Sequence, residues 1–300
     1  MMRRTLVAVL AVATTLVVPA AAADDPLQGA RDAATTLRFR AAVSVQWADA
    51  DGVHDELVEV HSDQGTVRVG GLQWSNGALL QPPAPGPKYD LRTRPGTVVA
   101  GRSTTAVDVF VSGRLRERLA LDAETSLVLE RAQFDGTGRP VRVVRIESLL
   151  LLPPDDVVVP GPADAPTDLP SRYRAPQALA AGYQRVAAYR RGDVVQAVYS
   201  DGLHGLSVFL QAGRLDIDAM PGNVMWVALG TRTAAVHTWP GGVTVTWEAG
   251  GVVYTAVGDG TVDDVLSAAA SMPAPAPPSV GTRVRQRARA LAETVLGGSA

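Results

Sequence analysis

Four histidines, a scatter of aspartates and no cysteine are what this chain offers for chemistry. Without cysteine there are no disulfides, thiolate metal sites or thiol nucleophiles. His54 and His61 are seven residues apart, a spacing that aligns side chains on a helix. Between them, Glu56-Leu57-Val58-Glu59-Val60 reads as a strand, where an odd separation puts the two on opposite faces. They read as surface histidines, not as a metal pair. Gly205-Leu206-Ser207-Val208-Phe209 shares only its serine with the G-x-S-x-G nucleophile elbow, and Ser207 falls inside a strand pattern. No glycine-rich phosphate loop occurs. Asp216 and Asp218 share a strand face, and Asp263-Asp264 open a helix. Such pairs can do acid–base work, but capping and solvation account for them. No catalytic residue, metal site or cofactor is expected. The residues describe a binding protein, not an enzyme.

The composition agrees. Of 300 residues, 46% are hydrophobic and 19% charged, enough to build a packed core. The net charge of −2 lacks the basic excess of a nucleic-acid binder. Residues 1–23 read as an export address: Arg3 and Arg4, an apolar run from Leu6 to Val18, Pro19, then Ala21-Ala22-Ala23. The run is shorter than the roughly 20 residues that span a bilayer. An extracytoplasmic location follows, soluble or peripherally attached to membrane.

The remainder divides into two β-rich blocks and a tail. In residues 24–152, Asp25–Thr35 reads as a short helix. From Thr36 to Asp49, Leu37, Phe39, Ala41, Val43, Val45 and Trp47 alternate with polar residues, the period of a half-buried strand. Further strand runs are Glu56–Ser62, Thr66–Gly70, Thr97–Ala100, Thr104–Ser112, Leu115–Leu121, Ser126–Phe134 and Val141–Ser148, split by Asp- and Gly-containing turns. That is an antiparallel meander. Residues 153–170 are rich in Pro and Asp and read as a linker. Residues 171–273 hold seven strand runs, from Tyr183–Arg190 to Val252–Val257, and a helix that Thr261 caps. This block has most of the aromatics and should have the tighter core. Residues 274–300 read as a proline spacer and a basic helical tail.

In the first block Phe39, Trp47, Trp74, Tyr89, Phe110 and Phe134 are few for a large sheet, and Phe39, Trp47, Trp74 and Phe110 are the candidate cavity residues. A sparse aromatic set suits a lipid-sized cavity; it equally suits a core of Val, Leu and Ala.

In the second block, Val198-Tyr199-Ser200-Asp201-Gly202-Leu203 continuing to Ser207-Val208-Phe209 resembles the YSDGL-x-x-x-SVF signature of the C-terminal domain of the RseB/MucB family. Those proteins regulate envelope-stress sigma factors from outside the cytoplasm. Ala100-Gly101-Arg102, Leu119 to Asp122 and Glu124 to Leu127 resemble a hairpin of that family's N-terminal domain, with Ala120 and Ser126 where the family has Trp and Gly. The resemblance implies an α+β, mainly β fold. Its first part is an unclosed antiparallel barrel like that of LolA and LolB, plugged by a helix. A smaller sheet with a C-terminal helix follows. It implies a negative regulator that binds the extracytoplasmic part of a membrane anti-sigma factor, with a lipid or lipoprotein as ligand and a homodimer as possible assembly. The alternative is an exported lipid or lipoprotein carrier. The motif neighbourhood, Tyr199, Ser200, Asp201, Gly202, Leu203 and Phe209, is the candidate partner surface. Read physically, Ser200-Asp201-Gly202 is also a strand-to-strand turn, so the motif can equally be structural.

Overall fold

The computed structural model describes residues 25–49, 51–63, 66–69, 72–74, 83–86, 88–153, 173, 175–218, 220 and 223–273. The expected export signal and tail, and nearly all of the expected linker, lie outside them.

Helix α1 (Gln28–Thr36) leads into β1 (Arg38–Asp49). The alternation read from Leu37 to Trp47 holds: Phe39, Ala41, Val43 and Val45 are buried. The turn after Asp49 leads to β2 (Gly52–Asp63), in register from Asp49↔Gly52 to Arg38↔Asp63. Then come β3 (Thr66–Val69), β4 (Leu72–Trp74), β5 (Tyr89–Val99), β6 (Arg102–Val111), β7 (Arg114–Asp122), β8 (Val128–Phe134) and β9 (Pro140–Leu152). The sheet order is β4-β3-β2-β1-β9-β8-β7-β6-β5, antiparallel and unclosed. Two tight hairpins explain much of the meander. Ala100-Gly101 and Ser112-Gly113 all have positive φ, the backbone twist that two-residue hairpin loops need. Arg102, in the segment with the family resemblance, bonds Asp122 at 2.8 Å and Glu124 at 2.7 Å across the end of its hairpin.

Two differences from the sequence reading have local causes. β5 begins at Tyr89, eight residues before the expected Thr97, because a register shift between Pro95 and Val98 carries the strand past a residue that cannot donate to the ladder. Gly96 fits there because a Cβ would meet the Thr104 hydroxyl at 2.1 Å. Asp216 and Asp218 lie in a loop after β12, not on a strand.

The second sheet holds β10 (Gln184–Arg191), β11 (Val194–Ser200), β12 (Gly205–Ala212), β13 (Met225–Leu229), β14 (Arg232–Trp239), β15 (Gly242–Ala249) and β16 (Val252–Gly258). Its order is β10-β11-β12-β16-β15-β14-β13, all antiparallel. Helix α2 (Val262–Ser271) packs on one face through Val265, Ala268 and Ala269. Thr261 caps it, its hydroxyl accepting from the Asp264 N–H at 3.3 Å. Trp247 and Tyr254 are opposed in register and stack at 5.0 Å. With Tyr173, Tyr183 and Tyr199 they make an aromatic core. The fold is mainly β, two antiparallel sheets with a helix on each.

Candidate functional site at the seam between the two sheets

The turn between β11 and β12 is built by its own side chains. Ser200 Oγ donates to the His204 carbonyl and accepts from the Gly202 N–H. Asp201 Oδ1 accepts from the N–H groups of Leu203 (2.9 Å) and His204 (2.7 Å). Asp and Ser favour such turns because their oxygens satisfy backbone donors two and three residues on. Gly202 has φ +91°, and a Cβ there would lie 2.5 Å from Gly86 N and 2.9 Å from Ala84 O. A side chain is therefore excluded twice, by conformation and by the neighbouring loop.

The turn is pressed into the first sheet. Leu203 is 4% exposed and sits in a cluster with Leu27 at the start of α1, Ala30 within it, and Val107, Val109, Leu119, Leu121 and Val128 of β6 to β8. Asp201 Oδ2 accepts from Tyr89 Oη at 2.5 Å and Lys88 Nζ at 3.0 Å. Lys88 Nζ also donates to the Ala181 carbonyl. Arg31 of α1 donates to the Pro83 carbonyl at 3.1 Å, tying the helix to the loop that covers Gly202. Burial alone would raise the Asp201 pKa. The facing imidazole of His204, the Tyr89 hydroxyl and the backbone donors outweigh it and hold the carboxyl well below its usual range. Burial, reinforced by Asp201, pushes the Tyr89 phenol well above its ordinary value.

A second polar group lies alongside. Glu117 shares a face of β7 with Leu119 and Leu121, and Gln133 and Arg131 of β8 stand opposite Glu117 and Leu119. Arg142 of β9 pairs with Gln133 in register. This otherwise apolar face therefore carries a fully buried carboxylate and two buried guanidinium groups. Arg131 forms an ion pair with Glu117 and reaches Asp259 Oδ2 at 3.4 Å. Gln133 Nε2 and an Arg142 guanidinium N–H both donate to the Asp259 carbonyl, at 2.8 and 2.7 Å. Asp259 Oδ1 accepts from the Gly205 N–H at 2.7 Å. Arg116 of β7 pairs with Asp264 of α2. Burial pulls the Arg142 pKa down to about 10, with Asp259 opposing the drop and Arg131 adding to it.

The six candidate partner residues thus separate. Tyr199 is fully buried, its hydroxyl donating to the Pro176 carbonyl. Leu203 is the plug. Ser200, Asp201 and Gly202 form the joint and are half-buried. Phe209 stands apart, half-buried on the sheet face away from α2, between Gln196 and Thr255. The cavity candidates are not gathered in one place. Phe39 lies in the core of the first sheet, with Trp47 packed against that core and stacked on His54 at 5.1 Å. Phe110 lies under the Arg92 guanidinium at 4.4 Å. The Trp74 side chain lies outside what is described. Sequence reasoning passed over His204, Glu117, Arg131, Arg142 and Asp259. The one available signal was charge at inward-facing strand positions, as at Glu117 and Arg131.

Among the described residues, no cluster of three His, Asp or Glu could hold a metal. No helix there is long and apolar enough to cross a membrane.

No family model matches the chain, and no curated protein matches it. Solved structures similar in fold are MucB in complex with MucA(peri), at 18% identity and TM-score 0.46, and the MucA/MucB complex of Pseudomonas aeruginosa, at 20% and 0.47. MucB alone matches at 19% and 0.47. Each alignment covers 83% of this chain and 96–98% of the other.

Proposed function

We propose that this chain is an exported, non-enzymatic negative regulator that binds the extracytoplasmic part of a membrane anti-sigma factor, with a lipid or lipoprotein as its ligand. The observation that carries the reading is the place of the YSDGL-like motif. The stretch that resembles the RseB/MucB signature is the joint on which the two sheets are fastened, and its titratable groups are used in holding that joint. Asp201 serves Tyr89, Lys88 and two backbone donors; Asp259 serves Gly205, Gln133, Arg131 and Arg142. Groups committed in this way fix the relative placement of the two sheets. The proposed contact surface centres on Phe209 and the half-buried sheet face around it, since Tyr199 and Leu203 are buried.

The test is capture with residues 24–300 from detergent-solubilised envelope, with mass spectrometry of proteins and lipids in the same eluate. The expected result is a single-pass membrane protein with a cytoplasmic sigma-binding domain, weakened at least tenfold by Phe209→Asp. Stoichiometric lipid with no such protein would overturn the regulator reading in favour of a carrier.

A further inference from the structure

The proton of His204 has no role assigned so far, yet the residue is among the most enclosed titratable groups of the joint. The imidazole is 3% exposed. Its Nδ1 lies 3.9 Å from Asp201 Oδ2, and its Nε2 has no hydrogen-bond partner among the described residues. The charged and titratable groups around it come from both sheets. Asp201 faces it from its own turn, Glu117 from β7 and Asp259 from the segment between β16 and α2. Arg131 and Arg142, from β8 and β9, are engaged with Glu117 and Asp259. Tyr89 and Lys88, at β5, are engaged with Asp201. Tyr183 and Asp264 lie close by: a Cβ on Gly260 would meet the Tyr183 hydroxyl at 2.7 Å, and Asp264 Cβ and His204 Cγ each at 3.6 Å.

We propose that His204 makes this seam a proton-operated latch: the protonated ring holds the two sheets together, and loss of the proton loosens them. A neutral imidazole in this position would leave three carboxylates converging with one fewer positive charge among them. The protonated ring also meets Asp201 as an ion pair, Nδ1 facing Oδ2 at 3.9 Å. Burial works against the charge, but Asp201, Asp259 and Glu117 more than offset it, so the His204 pKa is raised above that of free histidine. The sign follows. A group whose pKa is raised by docking contributes its full share below its undocked pKa. That share is lost as pH rises through the docked value. The latch is closed in mildly acidic solution and weakens on the alkaline side. One proton changes the open-to-closed ratio by at most about tenfold per pH unit.

The chain has no cysteine, so spin labels can be placed at will. Val53→Cys in β2 and Val186→Cys in β10 replace exposed residues, 80% and 48% accessible, one on each sheet. Pulsed electron spin resonance on the doubly labelled protein should give one narrow distance distribution at pH 6. It should broaden progressively toward pH 9. His204→Gln should show the broad distribution at both pH values. A wild-type distribution unchanged from pH 6 to 9 would overturn the proposal, as would a His204→Gln variant that keeps the pH dependence. Should His204→Gln fail to fold, the unsubstituted protein decides: the imidazole carbon-bound proton resonance of His204 must titrate over the same range as the distance change, and separate midpoints would also refute the latch.

Discussion

Leu203 offers the sharpest test of how the two sheets are joined. It belongs to the second sheet by sequence and to the first by contact. Truncating it to alanine removes three carbons from a site with 4% exposure. The transfer cost of a buried leucine is about 1.5–3 kcal/mol. Leu→Ala changes that leave a cavity cost about 2–5 kcal/mol in total. Here the neighbours Leu27, Ala30, Val107 and Leu119 are anchored on a helix and a sheet and cannot collapse fully, so about 3 kcal/mol is the working figure. The cost should fall on docking, because Leu203 is absent from the second sheet's own core and is buried instead against α1 and β6 to β8 of the first. At 1.4 kcal/mol per decade, the undocked population should rise by roughly a hundredfold. Amide hydrogen exchange reads this directly. In Leu203→Ala the α1 amides of Gln28–Thr36 should exchange about a hundred times faster, while those of β16 stay near wild type. Leu210→Ala, a fully buried change inside the second core, should do the reverse. If Leu203→Ala speeds exchange in β16 and leaves α1 unchanged, Leu203 supports only its own sheet, and the account of the joint is wrong.

Two further outcomes follow from the same seam. Gly202→Ala should destabilise by about 1–3 kcal/mol through its positive φ. The clash with Gly86 N and Ala84 O adds to that. Gly113→Ala, with φ +77° and no neighbour within 4 Å, should show the strain alone, so urea midpoints should rank Gly202→Ala below Gly113→Ala. Arg131→Met strands Glu117 as a buried charge and should cost about 3–5 kcal/mol, whereas Arg131→Met with Glu117→Leu should recover most of that loss. Equal loss in the single and double variants would show that the pair is not the source.

Much of the fold was readable in the residues. The alternation of β1, the Ser200-Asp201-Gly202 turn, the Thr261 cap and most strand runs all rest on local patterns, and local patterns are what one sequence displays. The early start of β5 was hidden because Pro95 and Gly96 read as breakers, and only the register shift against β6 makes room for them. The role of the site was less legible. Asp201 was singled out for its turn chemistry, but its contacts with Tyr89 and Lys88 span more than a hundred residues. Glu117 shares strand parity with Leu115, Leu119 and Leu121, so its inward direction could be read from the sequence. That Arg131 and Gln133 stand opposite this face follows only from the register. Leu203 gave no signal that it serves the other sheet.

The seam divides its work between two kinds of contact. A buried ion pair is weak evidence for stability, since desolvation consumes most of its attraction. Glu117, Arg131 and Asp259 therefore supply little of the affinity between the sheets. Leu203 and the cluster around it supply that, because apolar burial is favourable in whatever direction the plug approaches. Apolar contact is poor at selecting one direction, and the charges are good at it. A rotated docking would leave Arg142 or Asp259 buried without its partner across the seam, at a cost of several kcal/mol for each ion. Affinity from Leu203 and register from the ionic set is thus the division that lets a single titratable group matter. A change of one charge on His204 is small beside the apolar term, but it acts on the set that decides orientation.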